Sequence, residues 1–132
     1  MPAGVVFVHG LRTSATMWRH QVAALEARGT RAVAIDLPGH GDSDVTSAAQ
    51  SIADMAASVR EFVDALGGSR VVLVGCSMGS AVAATVAAAA PPNVKALVLS
   101  NSSFGHSPER FAALSKRSTE ARNGFIEIGL DM

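Results

Sequence analysis

Four short apolar segments constrain the fold of this chain more than any other feature of its sequence. The segments 5–9, 32–36, 71–75 and 96–100 are rich in Val, Ile, Leu and Ala. A half-exposed strand alternates apolar and polar residues, whereas a nearly unbroken apolar strand is buried on both faces, as in a parallel sheet. The sequence therefore predicts four parallel strands with helices packed on the sheet.

Helical periodicity fills the gaps between these segments. Segment 18–28 carries an apolar stripe and is followed by Gly29, which suits the end of a helix. Segment 51–66 repeats apolar residues at helical spacing, and Ser51 is placed to cap its start. Segment 77–90 is almost entirely apolar and predicts a buried helix. Alternating strands and helices are typical of an α/β fold with a doubly wound, mostly parallel sheet.

Composition argues against several classes of protein. The 132 residues carry 11 basic and 11 acidic side chains, while nucleic-acid binders normally show a basic excess. No apolar run approaches the roughly 20 residues of a membrane-spanning helix, and the first residues lack the features of a signal peptide. The lone Cys76 forms neither an internal disulfide nor a metal cluster by itself. These observations predict a cytoplasmic α/β protein with no nucleic-acid, membrane or metal partner.

The sharpest motif, GCSMG at residues 75–79, lies where the third predicted strand meets the apolar helix. A tight turn at this point lifts the serine hydroxyl above the sheet, and the flanking glycines leave room for the chain to fold back. The helix N-terminus supplies free N–H groups for a developing oxyanion, the nearest being that of Met78. We therefore predict Ser77 as a nucleophile; the alternative is a helix cap. We interpret its neighbour Cys76 as a small apolar residue.

A second oxyanion donor is expected from a neighbouring strand end. If the first and third strands are adjacent, the strand order reverses between them, and open α/β sheets bind ligands at such a point. The N–H of Leu11 would then face Ser77, with Gly10 allowing the chain to turn. We interpret His9, at the end of the first strand, as a brace for this loop rather than as a catalytic base.

The segment DLPGHGDS, residues 36–43, follows the second predicted strand. Asp36 admits two interpretations, a triad acid or a side chain that accepts hydrogen bonds from backbone N–H groups of a loop. The surrounding glycines and proline are turn residues and favour the loop interpretation. We assign no catalytic role to His40.

Three motifs, HGLRTSATMW, DLPGHGDSD and GCSMG, together resemble the α/β-hydrolase superfamily in their order and spacing, over about residues 5–100. The resemblance implies that residues 1–106 form the N-terminal part of a hydrolase core. It also implies that residues 107–132 begin a helical cap. Among subfamilies, the chain is most similar to single-domain esterases, enol-lactone hydrolases and carbon–carbon hydrolases of aromatic breakdown.

The same resemblance implies the chemistry. It implies that Ser77 is the nucleophile of a serine hydrolase without a cofactor, and that the backbone N–H groups of Leu11 and Met78 form its oxyanion hole. The implied substrate is a small molecule, either a carboxylic ester, a lactone or a related carbonyl compound, which reacts through an acyl-enzyme.

The family carries its catalytic triad in the order serine, acid, histidine, and the sequence departs from this pattern. No carboxylate occurs at residues 100–103, and His106 is a weak candidate for the base. We therefore expect the chain to be a fragment that lacks the triad acid and histidine and is inactive alone. We also expect its open fourth strand to promote self-association, because an uncovered sheet edge pairs readily with another chain.

Other functions fit part of the pattern. The scaffold would also serve a non-catalytic module that binds a small molecule, or an enzyme of the perhydrolase or haloperoxidase type. A nucleotide-binding fold shares the doubly wound pattern, but its phosphate loop is G-x-G-x-x-G. Here the first strand instead ends in HGLR, residues 9–12.

Overall fold

In the computed structural model, the described residues are 4–44, 51–102 and 109. Their elements are β1 (Gly4–Val8), a 3-10 turn (Ala15–Trp18), α1 (Arg19–Glu26), β2 (Ala32–Ile35), α2 (Ile52–Ala65), β3 (Val71–Cys76), α3 (Met78–Ala88) and β4 (Val94–Ser100). The four strands and three helices predicted from sequence are confirmed, with ends that differ by a few residues. The first helix differs in kind at its start, because a 3-10 turn capped by Ser14 precedes α1.

The four strands form one parallel sheet in the order β2-β1-β3-β4. β1 and β3 are therefore neighbours, with Val8 in register with Gly75. The chain crosses from β1 outward to β2 and then returns past β1 to β3. The carboxyl ends of β1 and β3 consequently lie side by side at the predicted reversal of strand order.

Helices α2 and α3 cover one face of this sheet. The buried core between them contains Val6 and Leu73 from the sheet, Val59 and Val63 from α2, and Val82 from α3. Burial of apolar side chains at roughly 25 cal/mol per Å² is the main force holding these layers together. The core therefore fixes the start of α3 against the ends of β1 and β3.

The predicted start of α2 is confirmed in detail. The Ser51 hydroxyl accepts a hydrogen bond from the Asp54 N–H at 3.0 Å, and the Asp54 carboxylate accepts one from the Ser51 N–H at 2.9 Å. This capping box satisfies two backbone donors that the helix leaves unpaired. After the helix, Gly67 takes a φ of +62°, which lets the chain turn toward β3.

The second face of the sheet is covered less evenly. The ring of Phe7 packs on Trp18, with 4.8 Å between ring centroids, so the 3-10 turn protects β1. β4 pairs with β3 alone within the described ranges, and its Val98 and Leu99 side chains are 48% and 40% exposed. The predicted division at residues 106 and 107 lies outside the described residues. Among those described, no helix combines the length and hydropathy that a membrane span requires.

Candidate active site

Ser77 occupies the sharp turn between β3 and α3. Its φ and ψ angles are +54° and −118°, in a region that non-glycine residues rarely adopt and that stores strain. Its N–H donates to the Ser100 carbonyl at 3.0 Å, and its own carbonyl accepts from the Ser80 N–H at 2.9 Å. The side chain makes no capping hydrogen bond to α3. The Ser77 hydroxyl therefore does not act as a helix cap.

Two glycines allow α3 to begin this close to the sheet. A Cβ atom on Gly75 would overlap the carbonyl of Gly79. A Cβ atom on Gly79 would overlap the carbonyl oxygens of Val8 and His9 at the end of β1. Because neither position has room for a side chain, the two glycines of the motif set the close approach of β3, α3 and β1.

The segment that follows β1 passes directly beside the turn. A Cβ atom on Gly10 would lie 3.4 Å from the Ser77 Cβ, so this part of the predicted oxyanion loop is adjacent to Ser77. Leu11 comes next and is 57% exposed. Met78 is the first residue of α3, where the backbone N–H has no partner within the helix. The two predicted donors thus belong to the two segments that meet at Ser77.

His9 is completely buried, and both of its ring nitrogens contact backbone groups. Nδ1 lies 2.7 Å from the Gly10 carbonyl oxygen, and Nε2 accepts a hydrogen bond from the Leu37 N–H at 3.0 Å. A carbonyl only accepts, so these partners assign the proton to Nδ1. Burial lowers the pKa of His9 below its ordinary value of 6.5, with the nearby His40 acting in the same direction. The structure supports the interpretation of His9 as a brace.

Asp36 holds two loops together at the end of β2. Its carboxylate accepts hydrogen bonds from the Ala15 N–H at 2.7 Å and the Asp42 N–H at 3.0 Å, and its carbonyl accepts from the Ser43 hydroxyl at 2.7 Å. The two hydrogen bonds to the carboxylate lower the pKa of Asp36, and the bond from the Ala15 N–H has the largest effect. A Cβ atom on Gly41 would overlap the same carboxylate. Of the two interpretations, the structure supports the loop acceptor.

The remaining predicted residues have simpler environments. Nδ1 of His40 lies 3.0 Å from the Pro38 carbonyl, so this ring is held inside its own turn, with its centroid 5.0 Å from that of His9. Cys76 is a half-buried free thiol at the end of β3. His106 lies outside the described residues. Within the part of the chain that is described, no group of three His, Cys, Asp or Glu residues is placed to hold a metal ion.

Ser80 is a structural member of the site that the sequence analysis missed. Its buried hydroxyl lies 2.9 Å from the Gly75 carbonyl oxygen and 2.8 Å from the Ser100 carbonyl oxygen. It therefore ties the first turn of α3 to the ends of β3 and β4. The available signal was a hydroxyl in the first turn of an almost entirely apolar helix.

A cavity of about 200 Å³ lies at the amino ends of the strands, whereas Ser77 lies at their carboxyl ends. Its lining includes Gly4, Arg31, Ser69 and Arg70, at the amino ends of the strands. The groups that converge on Ser77 lie at the carboxyl ends of β1 and β3, so this cavity is separate from the candidate active site.

Comparison with known proteins identifies the family. A family model described as the alpha/beta hydrolase fold matches residues 4–123. With the parallel sheet, the reversal of strand order and the strained serine turn already described, this match shows that the chain belongs to the α/β-hydrolase family.

Individual relatives differ in their assigned activities. The chain is 39% identical over 95 residues to the dihydrolipoyllysine-residue acetyltransferase component of an acetoin cleaving system from Cupriavidus necator, covering 72% of this chain and 25% of that protein. It is 32% identical over 103 residues to a putative non-heme haloperoxidase of Mycobacterium phage D29, covering 78% and 37%. An esterase from Exiguobacterium antarcticum superposes with a TM-score of 0.77 at 25% identity, covering 92% and 51%. The chain thus spans between a quarter and about two fifths of the length of these two curated relatives.

Proposed function

We propose that the protein carrying this chain is a serine hydrolase that needs no cofactor and acts on a carboxylic ester, a lactone or a related carbonyl compound. The observation that carries the proposal is the strained conformation of Ser77, whose hydroxyl makes no capping bond to the helix that follows it. Strain of this kind persists where the surroundings impose it and clusters at active sites. Membership of the hydrolase family supports the same conclusion.

In this proposal Ser77 Oγ attacks the substrate carbonyl carbon, and the carbonyl electron pair moves onto oxygen as the new bond forms. The N–H groups of Leu11 and Met78 donate to that oxyanion. When the oxyanion collapses, the bond to the leaving group breaks and an acyl-Ser77 ester remains, which water hydrolyses. Each oxyanion donor contributes about a hundredfold to a thousandfold in rate in enzymes where this has been measured.

The proton of Ser77 requires a base, and His9 is unsuitable because both of its ring nitrogens contact backbone groups. His40 is held against the Pro38 carbonyl in the turn after β2, and we assign it no catalytic role. We therefore propose that residues 1–132 alone show no Ser77-dependent turnover. A triad acid and base would come from sequence outside the described residues, with His106 still a weak candidate.

A substrate panel tests this proposal in the full gene product, with whatever sequence flanks these residues in its reading frame. Nitrophenyl esters of short and long acids and a lactone are compared in the unmodified protein and in Ser77→Ala. We expect hydrolysis of at least one carbonyl substrate, with a loss on the order of 10⁴-fold or more in Ser77→Ala. Equal rates in the two proteins would contradict the proposal and favour a binding module.

Peracid formation is a second candidate, which the similarity to the phage haloperoxidase favours. In that reaction hydrogen peroxide replaces water as the attacker of the acyl-Ser77 ester, giving a peracid and free serine. The same protein incubated with an ester and peroxide distinguishes the two reactions. Peracid in excess of carboxylic acid, absent in Ser77→Ala, would support this candidate.

A further inference from the structure

The His9 side chain bonds the carbonyl of the residue that follows it. Nδ1 lies 2.7 Å from the Gly10 carbonyl oxygen, and the peptide bond from Gly10 to Leu11 is trans. In a planar trans peptide the C=O and the N–H point in opposite directions. Fixing the Gly10 carbonyl therefore fixes the direction of the Leu11 N–H.

This peptide needs a restraint from outside itself. Gly10 has no Cβ, so its backbone has more accessible conformations than that of any other residue type. Leu11 is 57% exposed, so its side chain is only partly packed. Without the bond from Nδ1, rotation of the peptide plane would turn the Leu11 N–H away from one fixed direction.

The other ring nitrogen of His9 is also held in place. Nε2 accepts the Leu37 N–H at 3.0 Å, and Leu37 is buried directly after Asp36. The Asp36 carboxylate in turn holds the backbone at Ala15 and Asp42. The imidazole thus connects the loop after β1 to the anchored loop after β2.

We propose that His9 is a positioning residue for the oxyanion hole, because its Nδ1–H fixes the Gly10 carbonyl and so aims the Leu11 N–H at the oxyanion formed on Ser77. This inference rests on the proposed function. It goes further than a loop brace, since it predicts that the two ring nitrogens have separable effects on turnover and on stability.

The protonation state of the ring fits this role. Burial, the largest effect, lowers the pKa of His9; the Gly10 carbonyl raises it, His40 lowers it and Asp36 raises it. The balance favours the neutral ring with one donor and one acceptor. A second proton would place an N–H against the Leu37 N–H and remove that bond.

Two substitutions separate the nitrogens in the full gene product. In His9→Asn the side-chain amide N–H lies near the former Nδ1, and in His9→Gln the side-chain carbonyl lies near the former Nε2. We expect His9→Asn to keep kcat within about threefold, whereas His9→Gln lowers kcat about tenfold to a hundredfold with little change in KM. Thermal melts run in parallel separate this effect from simple unfolding, and Ser77→Ala defines the background rate.

Equal kcat values for His9→Gln and the unmodified protein would overturn the inference while leaving the proposed function intact. If no variant and no unmodified protein shows Ser77-dependent turnover, the proposed function has failed, and the amide NMR spectrum decides the inference. A Leu11 amide signal that moves in His9→Gln but not in His9→Asn supports it, and one that moves in neither overturns it.

If both variants fail to fold, an acid titration followed by NMR in a His40→Gln background decides instead. The Leu11 amide should then shift in step with the His9 ring, because protonation disturbs the ring that holds the Gly10 carbonyl. A Leu11 amide that stays fixed while His9 titrates overturns the inference.

Discussion

The buried hydroxyl of Ser80 lies 2.8 Å from the carbonyl oxygen of Ser100, a contact that fastens the start of α3 to the end of β4. The same carbonyl accepts the N–H of Ser77 at 3.0 Å. The strained turn is therefore held from both sides, by the core beneath α3 and by the carboxyl end of β4. Strain in a turn of this kind persists only where neighbouring contacts impose it.

Replacement of Ser80 by alanine should destabilise the fold. The change leaves the buried Gly75 carbonyl without this donor and weakens the link to β4, at about 1–3 kcal/mol. Thr85→Ala is the matched control, because it removes an exposed hydroxyl that bonds the Ala81 carbonyl in the same helix. Urea unfolding should show a loss for Thr85→Ala within about 0.5 kcal/mol. Equal losses in the two variants would refute the assigned role of Ser80.

Gly79→Ala should destabilise the chain by overpacking. Its new Cβ would overlap the carbonyl oxygens of Val8 and His9, and overpacked sites typically lose about 1–3 kcal/mol. Gly4→Ala is the control, since a Cβ there lies 3.8 Å from the nearest atom, the Arg31 carbonyl oxygen. Thermal melting should separate the two variants clearly. A Gly79→Ala protein as stable as Gly4→Ala would show that α3 does not approach β1 this closely.

The sequence predicted the strands well because their apolar runs are long enough to be distinct. β4 begins at Val94, two residues before the predicted start, since the exposed Lys95 interrupts the apolar run at the sheet edge. The sharp turn at Ser77 was predicted because the glycines that it requires, Gly75 and Gly79, lie beside it in the sequence. The bond from Leu37 to His9 joins residues 28 positions apart, and that from Ala15 to Asp36 joins residues 21 apart. No local pattern reveals such pairs, so the supporting contacts of the site required the structure.

Acid should destabilise the chain through His9. Because burial lowers the pKa of the folded ring, the unfolded chain takes up a proton near pH 6.5 that the folded chain resists. Stability is therefore fully present above about pH 6.5 and falls as the pH drops below it. His9→Gln should flatten this part of the pH profile, measured as urea midpoints between about pH 7.5 and pH 5.5. The exposed His20 is the control, and His20→Gln should leave the fall in place, because His9 is still present. A pH profile of stability that is unchanged by His9→Gln would contradict the claim that His9 causes the loss of stability in acid.

The edge strand β4 should promote self-association of the 132-residue chain. Within the described residues β4 pairs on one side only, and its Val98 and Leu99 side chains are partly exposed. Exposed apolar edge strands of this kind pair with other chains. Val98→Lys should shift the chain toward monomer in size-exclusion chromatography with light scattering. Thr85→Lys adds the same charge on the exposed side of α3 and should not. A monomeric unmodified chain across the concentration range would refute the prediction.

Covalent labelling of the full gene product tests the central claim, that Ser77 is a nucleophile, most directly. A fluorophosphonate probe followed by intact-mass and peptide mass spectrometry should give one adduct, located on Ser77. The adduct should persist in Cys76→Ala, which removes the neighbouring thiol, and should be lost in Ser77→Ala. A protein that stays unlabelled, or an adduct that survives in Ser77→Ala, would contradict the assignment of Ser77 as the nucleophile.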